Sequence, residues 1–203
     1  MNLRQTLLST VLGIALLLGA SQASAAPTPV TLRLLPAVQN AIPTQTVNLA
    51  LTISGLGEHA APSLGAFDLN FNFDSSKLTF IGYALSGFLG TVDDVEASDL
   101  SKGAVGNSIN LAELSYLSPS ELATLQPSEF TFATLSFEVG NLSRFERTSV
   151  SFGVIDVLSD ENGIDLQITT VNSALIDNPI PEPPAILLFG LGLALLLRNR
   201  RRV

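Results

Sequence analysis

The stretch FDLNFNFD, residues 67–74, carries an apolar side chain at every second position, with Asp or Asn between them. A β-strand projects successive side chains to opposite faces, so this alternation predicts a strand with one face in a core and the other in water. A helix over the same residues would scatter the phenylalanines around its circumference. The stretch therefore favours a β-rich protein.

Similar short segments flank this strand between residues 27 and 178. They have apolar residues at alternate positions and turn residues at their ends. The candidate strands are residues 30–34, 47–53, 78–83, 108–115, 130–139, 150–154 and 166–171. Many short strands separated by turns are typical of a β-sandwich, and the inward phenylalanines are expected to fill its core.

One candidate strand changes face along its length. Phe130 and Phe132 are at even-numbered positions and would point to one face. Ala133, Leu135 and Phe137 are at odd-numbered positions and would point to the other face. A regular strand keeps its apolar side chains on one face, so this switch predicts a β-bulge or a strand that changes partners.

A single short helix is predicted within residues 118–127. Ser118 is a helix N-cap residue, Pro119 suits the first helical position, and Glu121 completes a capping box. Leu122 and Leu125 form a small apolar stripe, and a proline two residues later ends the helix.

Three stretches of the body are similar to cohesin modules. They are LGAFDLNFNFDSSKLTF at residues 64–80, TLSFEV at residues 134–139, and the acidic turn at residues 155–166. The resemblance implies an all-β jelly-roll sandwich of about nine strands, a fold shared with several carbohydrate-binding modules. We therefore predict a cohesin-like domain over residues 27–178.

Composition excludes several classes of function. The chain of 203 residues has no cysteine, so disulfides, thiolate metal sites and cysteine nucleophiles are absent. Its formal net charge is −8, and residues 26–180 hold 17 acids against five Lys or Arg. Nucleic-acid binding needs clustered basic residues, so a nucleic-acid partner is not expected.

Residues 1–25 have the form of a secretory signal peptide. Arg4 precedes an apolar stretch at residues 7–19, and Ala23, Ala25 and Ala26 supply the small residues of a cleavage region. We predict cleavage near Ala25 or Ala26 and export of the remainder. An uncleaved N-terminal membrane anchor is the alternative, although the apolar stretch is short for a bilayer.

Residues 179–203 contain three further features in order. Pro181, Glu182 and Pro183 precede an apolar stretch at residues 185–197, and four arginines lie within residues 198–202. The apolar stretch predicts a short transmembrane helix. The arginines would stay on the cytoplasmic side, which leaves the body outside the membrane.

This arrangement closely resembles the PEP-CTERM sorting signal. The resemblance implies processing by exosortase, a membrane-embedded transpeptidase-like protease, in a Gram-negative host that makes exopolysaccharide. It places the body at the cell surface or in the extracellular matrix, after transient anchoring in the inner membrane. A plain tail anchor with an incidental Pro-Glu-Pro is the alternative.

An acidic loop at residues 156–165 suggests a cation site. Asp156, Asp160, Asn162 and Asp165 place oxygen donors around a glycine, and calcium takes six to eight oxygens. The spacing matches no standard calcium loop, and a plain turn with positive φ at Gly163 explains the pattern equally well. A second acidic cluster, at residues 93–99, is interpreted as a solvated loop.

The remaining residues favour binding over catalysis. His59 is the only histidine, it lies in a glycine-rich loop, and no nucleophile-elbow motif is present. The leading hypothesis is a non-catalytic adhesion or protein-interaction module with a surface protein or polysaccharide as partner. A carbohydrate-binding module is the alternative, although the chain has no Trp and only Tyr83 and Tyr116 for sugar stacking. A glycan-acting enzyme is third.

Overall fold

Alternating apolar side chains produce twelve β-strands and one helix within residues 29–178, the part of the chain that the computed structural model describes. The strands are β1 (Pro29–Leu35), β2 (Val38–Asn40), β3 (Thr46–Ser54), β4 (Leu64–Phe73), β5 (Leu78–Leu85), β6 (Ala97–Asp99), β7 (Gly103–Val105), β8 (Ser108–Ser115), β9 (Glu129–Val139), β10 (Arg147–Asp160), β11 (Gln167–Asn172) and β12 (Ala174–Asp177). The helix α1 (Pro119–Leu125) lies between β8 and β9.

The strands form two sheets. One sheet has five strands in the order β11-β1-β3-β9-β5; the other has the order β2-β12-β10-β4-β8-β6, with β7 also paired to β8. The pairs β1/β11 and β2/β12 are parallel, and the other pairs in these sheets are antiparallel. The predicted all-β sandwich is confirmed. The strand number exceeds nine because β2, β6 and β7 are three-residue strands that sequence alternation does not reveal.

Aromatic side chains from β4 and β9 join the two sheets. Phe67 meets Phe132 edge to face with ring centroids 4.8 Å apart, and Phe73 meets Phe137 at 5.4 Å. Such aromatic pairs contribute about 0.5–1.5 kcal/mol beyond the burial of their area. The alternation of FDLNFNFD therefore aligns one row of phenylalanines with the opposite sheet and leaves Asp and Asn on the outer side.

The parity switch in β9 is a bulge, as predicted. Thr52 pairs with Thr131 and the preceding Leu51 pairs with Ala133, so Phe132 is the extra residue on β9. Phe132 and Ala133 are consecutive and both buried. A bulge permits this because the extra residue shifts the alternation, so that odd-numbered instead of even-numbered side chains face the core after it.

The predicted helix cap is confirmed, but part of the apolar stripe is not buried. The side chains and backbone amides of Ser118 and Glu121 form the capping box. Leu122 is buried, whereas Leu125 is 40% exposed. In this seven-residue helix Leu122 is the one buried residue, and the C-cap Gln126 is buried against Leu64 of β4.

The alternating apolar residues of the candidate strand at residues 150–154 do not all face the core. Val150 is fully buried, but Val154 is 63% exposed. A break in the register of β10 lies between them.

Several predictions fall outside the described residues. They concern the signal peptide, the cleavage residues Ala23, Ala25 and Ala26, the motif Pro181, Glu182 and Pro183, and the transmembrane helix at residues 185–197. Among residues 29–178, no helix is long and apolar enough to cross a membrane.

Candidate functional site

Two irregularities in β10 shape the outer side of the seven-stranded sheet. Phe152 pairs with Phe71 and Ile155 pairs with Leu69, so two residues of β10 oppose Asn70 alone. A second extra residue, Asp156, follows directly. Bulges of this kind redirect side chains, and here they expose Val154 and bring Asp156 beside Asn70.

Amide and carboxylate side chains form a connected row across β8, β4 and β10. Asn110 Nδ2 donates to Asp68 Oδ1 at 2.5 Å and to Asn70 Oδ1 at 3.3 Å. Asn70 Nδ2 donates to Asp156 Oδ2 at 2.8 Å. These four residues are called the polar row below. Their mutual hydrogen bonds fix the side-chain orientations, so the row is preorganised.

Exposed apolar side chains border the polar row. Val154 is 63% exposed, Val157 is 40% exposed and Leu114 is 39% exposed. Val157 pairs with Asp68 in the row, and Leu114 pairs with Ala66. The polar row and these three side chains are called the outer face. It combines two carboxylates with exposed apolar area.

A groove of about 400 Å³ extends the same sheet surface toward the far end of β4. Asn72, Asp74, Asn107, Arg147 and Ser149 are among its lining residues. Arg147 Nε lies 3.0 Å from Asp177 Oδ1, and the arginine side chain is mostly exposed. The groove therefore adds a basic group beside the acidic outer face.

The residues of the predicted calcium loop do not share one set of hydrogen-bond partners. Asp156 belongs to the polar row, whereas Asp160 Oδ1 accepts hydrogen bonds from the backbone amides of Asn162 and Ile164 at 2.8 and 2.9 Å. Gly163 has φ 77°, as the turn interpretation expects.

Asp165 forms a backbone bridge with Ser159. Residues 29–178 contain no group of three or more His, Cys, Asp or Glu side chains arranged around one point. The calcium site at Asp156, Asp160, Asn162 and Asp165 stays a prediction.

The second acidic cluster caps its own loop and bridges the two sheets. Thr91 Oγ1 donates to Asp94 Oδ2 at 2.7 Å and to Glu96 Oε2 at 3.1 Å. On β6, Asp99 accepts from the Tyr83 hydroxyl at 2.7 Å and from the Ser101 amide at 3.0 Å. Burial alone would raise the pKa of Asp99, but the hydrogen bonds from Ser101 and Tyr83 outweigh it, and the pKa is lowered.

Glu113 on β8 carries a buried carboxyl that the sequence pattern did not predict. Its side chain lies on the core side of the strand, is 1% exposed, and has no hydrogen-bond partner for either oxygen within residues 29–178. Burial and the negative charge of Asp99 raise its pKa to about 8. The sequence did contain one indication: Glu113 is on the same face of the strand as the buried residues Ile109 and Leu111, because the three occupy alternate positions.

His59 lies in a loop and contacts no nucleophile that the structure describes. Its Nδ1 is 2.9 Å from the carbonyl oxygen of Thr124, and its Nε2 is 3.8 Å from Glu58 Oε1. The ring is thus tied to the end of α1 and to a neighbouring exposed carboxylate. This geometry differs from a triad, in which the imidazole contacts a hydroxyl.

The fold is similar to that of cohesin domains. CaCohA2 from Clostridium acetobutylicum matches with a TM-score of 0.61 at 18% identity, over 79% of this chain and 97% of that chain. A type I cohesin–dockerin complex from Clostridium thermocellum matches at 0.59 and 12%, over 75% and 99%. A type II cohesin from Acetivibrio cellulolyticus matches at 0.55 and 18%, over 75% and 96%.

At these identities the likeness shows the fold, which is cohesin-like. No protein-family profile and no curated protein sequence matches the chain.

Proposed function

We propose that the sandwich is a non-catalytic protein-interaction module of an exported protein, and that its partner docks on the outer face. The observation that carries this proposal is the polar row flanked by Val154, Val157 and Leu114. Because the amides of the row already have hydrogen-bond partners, docking leaves few of them unpaired. The exposed apolar side chains supply area whose burial contributes about 25 cal/mol per Å².

The partner class follows from charge and from the structural neighbours. Asp68 and Asp156 make the outer face electronegative, so a complementary partner presents basic or amide groups beside an apolar patch. One of the similar cohesins was solved in complex with a dockerin. A dockerin-like protein is therefore the first partner to test.

Export and sorting complete the proposal. The signal peptide at residues 1–25 directs secretion, and the sorting signal at residues 179–203 directs processing by exosortase, so the module works at the cell surface or in the matrix. Mass spectrometry of the mature protein tests this part. We expect an N-terminus after Ala25 or Ala26 and a C-terminus near Pro181; a protein with both ends untrimmed contradicts it.

Carbohydrate binding is the second candidate, because the amides and carboxylates of the polar row also match sugar hydroxyls. Two tyrosines are available to stack on a sugar ring. The Tyr83 hydroxyl is bonded to Asp99, and Tyr116, which is exposed, is bonded through its hydroxyl to Ser98 at 2.7 Å.

The deciding experiment measures binding of the full-length protein to dockerin-like proteins and to a glycan array. The variant Val154→Arg places a bulky charge in the outer face. Ile81→Arg on β5 of the other sheet is the matched control, because Ile81 is similarly exposed at 55%. We expect protein binding that Val154→Arg weakens at least about tenfold and Ile81→Arg leaves unchanged. Saturable glycan binding without protein binding would favour the second candidate.

A further inference from the structure

Glu113, whose buried carboxyl oxygens have no hydrogen-bond partner within residues 29–178, is one of the residues that line a cavity at the edge of the sandwich. The cavity has a volume of about 240 Å³ and lies between β8 and residues 85–93, which comprise the end of β5 and the loop after it. Leu85 and Val92 are apolar lining residues, and Ser86, Thr91 and Asp93 are polar ones. The nearly fully buried Glu113 therefore borders a cavity with both apolar and polar lining residues.

The wall of this cavity is held in place by contacts with the core. The Ser86 amide donates to the Phe132 carbonyl at 2.9 Å, and Gln126 Nε2 donates to the Phe88 carbonyl at 2.8 Å. Leu89 is fully buried, and the Phe88 ring packs on Phe130 at 4.6 Å. Because the segment is anchored at several points, the cavity is preformed.

The chemistry of the cavity selects its ligand. A buried carboxyl with two free oxygens needs N–H or O–H donors, and the neighbouring carboxylates Asp93 and Asp99 favour a positive charge. A divalent metal would need several protein oxygens around one point, and residues 29–178 hold no such acidic cluster. A cationic group with N–H donors supplies both the hydrogen bonds and the positive charge. If it is carried on an aliphatic stem, the stem can lie against Leu85 and Val92.

We propose that this cavity binds an organic cation that carries N–H donors on an aliphatic stem, with the cationic head at Glu113. Two sources share this chemistry, namely a free alkylamine and a Lys or Arg side chain of a protein. The site is separate from the outer face, because Glu113 lies on the core side of β8 and Leu114 on the outer side.

Binding is expected to release a proton. The pKa of Glu113 is about 8, and a cation binds the ionised form. The charges beside it are Asp99 on β6, whose pKa is lowered, and Asp93 in the cavity lining. Tyr83 on β5, whose pKa is raised, donates to Asp99, and Glu96 accepts from Thr91. The ionised fraction of Glu113 rises about 25-fold between pH 6.5 and pH 8.5, and the affinity should rise with it.

The test is calorimetric titration of the full-length protein with n-butylammonium and n-butylguanidinium at pH 6.5 and pH 8.5. We expect saturable binding of at least one probe, tighter by about 25-fold at pH 8.5, with release of about one proton at pH 6.5. Neutral n-butanol should not bind. Glu113→Gln should abolish binding, whereas Glu138→Gln, at an exposed position on β9, should not.

The source of the cation is decided by a second set of probes. Blocked Gly-Lys-Gly and Gly-Arg-Gly peptides that bind at least as tightly as the free amines identify a protein side chain, and binding of the free amines alone identifies a small molecule. If Glu113→Gln does not fold, Asp93→Asn at the exposed cavity rim replaces it, with an expected loss of about threefold in affinity.

Three results with the wild-type protein would overturn the proposal: no saturable binding of either probe, equal binding of n-butanol, or tight binding of calcium in place of the amines. Unchanged affinity in folded Glu113→Gln would do the same.

Discussion

Replacing Glu113 by Gln should stabilise the protein, and by an amount that depends on pH. The substitution keeps the shape of the side chain and removes its ionisation. Burial raises the pKa of Glu113 from 4.5 to about 8, a difference of 3.5 (8 − 4.5). Since each pH unit corresponds to about 1.4 kcal/mol, full ionisation of this carboxyl costs the folded state about 5 kcal/mol.

The sign follows from proton binding. Below pH 4.5 the carboxyl is protonated in both states and has no effect. Between pH 4.5 and pH 8 the unfolded chain ionises while the folded protein stays protonated, so the free energy of unfolding falls as pH rises. Above about pH 8 both states are ionised and the loss is constant.

Urea unfolding of the wild type and Glu113→Gln at pH 4.5, 6.5 and 8.5 measures this effect. The difference in unfolding free energy should grow from within about 1 kcal/mol at pH 4.5 to about 5 kcal/mol at pH 8.5. Glu138→Gln is the control and should show no such trend. A difference between wild type and Glu113→Gln that stays constant from pH 4.5 to 8.5 would refute the assigned environment of Glu113.

Three further predictions concern stability. Phe67→Ala removes a ring that packs on Phe132 and should lower the free energy of unfolding by about 3–5 kcal/mol in urea titrations, while the exposed Phe145→Ala should change it by less than about 0.5 kcal/mol. Ser118→Ala removes the helix cap and should cost about 1 kcal/mol by the same assay; no loss would argue against the capping box. If Asp156, Asp160, Asn162 and Asp165 bind calcium, EDTA should lower the melting temperature, and an unchanged melting temperature removes that site.

Local sequence was sufficient for most strands and for the helix start. FDLNFNFD and the Ser118 capping box act within a few residues, so their signals survive without knowledge of the fold. The bulge in β9 was also visible, because consecutive apolar residues at Phe132 and Ala133 have no place in a regular strand.

The missed features depend on contacts between distant segments. Val154 is exposed because β10 slips against β4, and that register is set by residues about 80 positions away. Glu113 had inward parity, but its burial requires residues 85–93 to close over it. The polar row joins Asp68, Asn110 and Asp156 only after β8, β4 and β10 have paired.

The central claim is that a protein partner covers the outer face. Hydroxyl-radical footprinting of the full-length protein, free and bound to a dockerin-like partner, tests it most directly because it reports on individual side chains. We predict that Leu114, Val154 and Val157 become protected while Ile81 and Val171 on the five-stranded sheet keep their reactivity. Protection of Ile81 and Val171 with unchanged oxidation of Val154 would contradict the account.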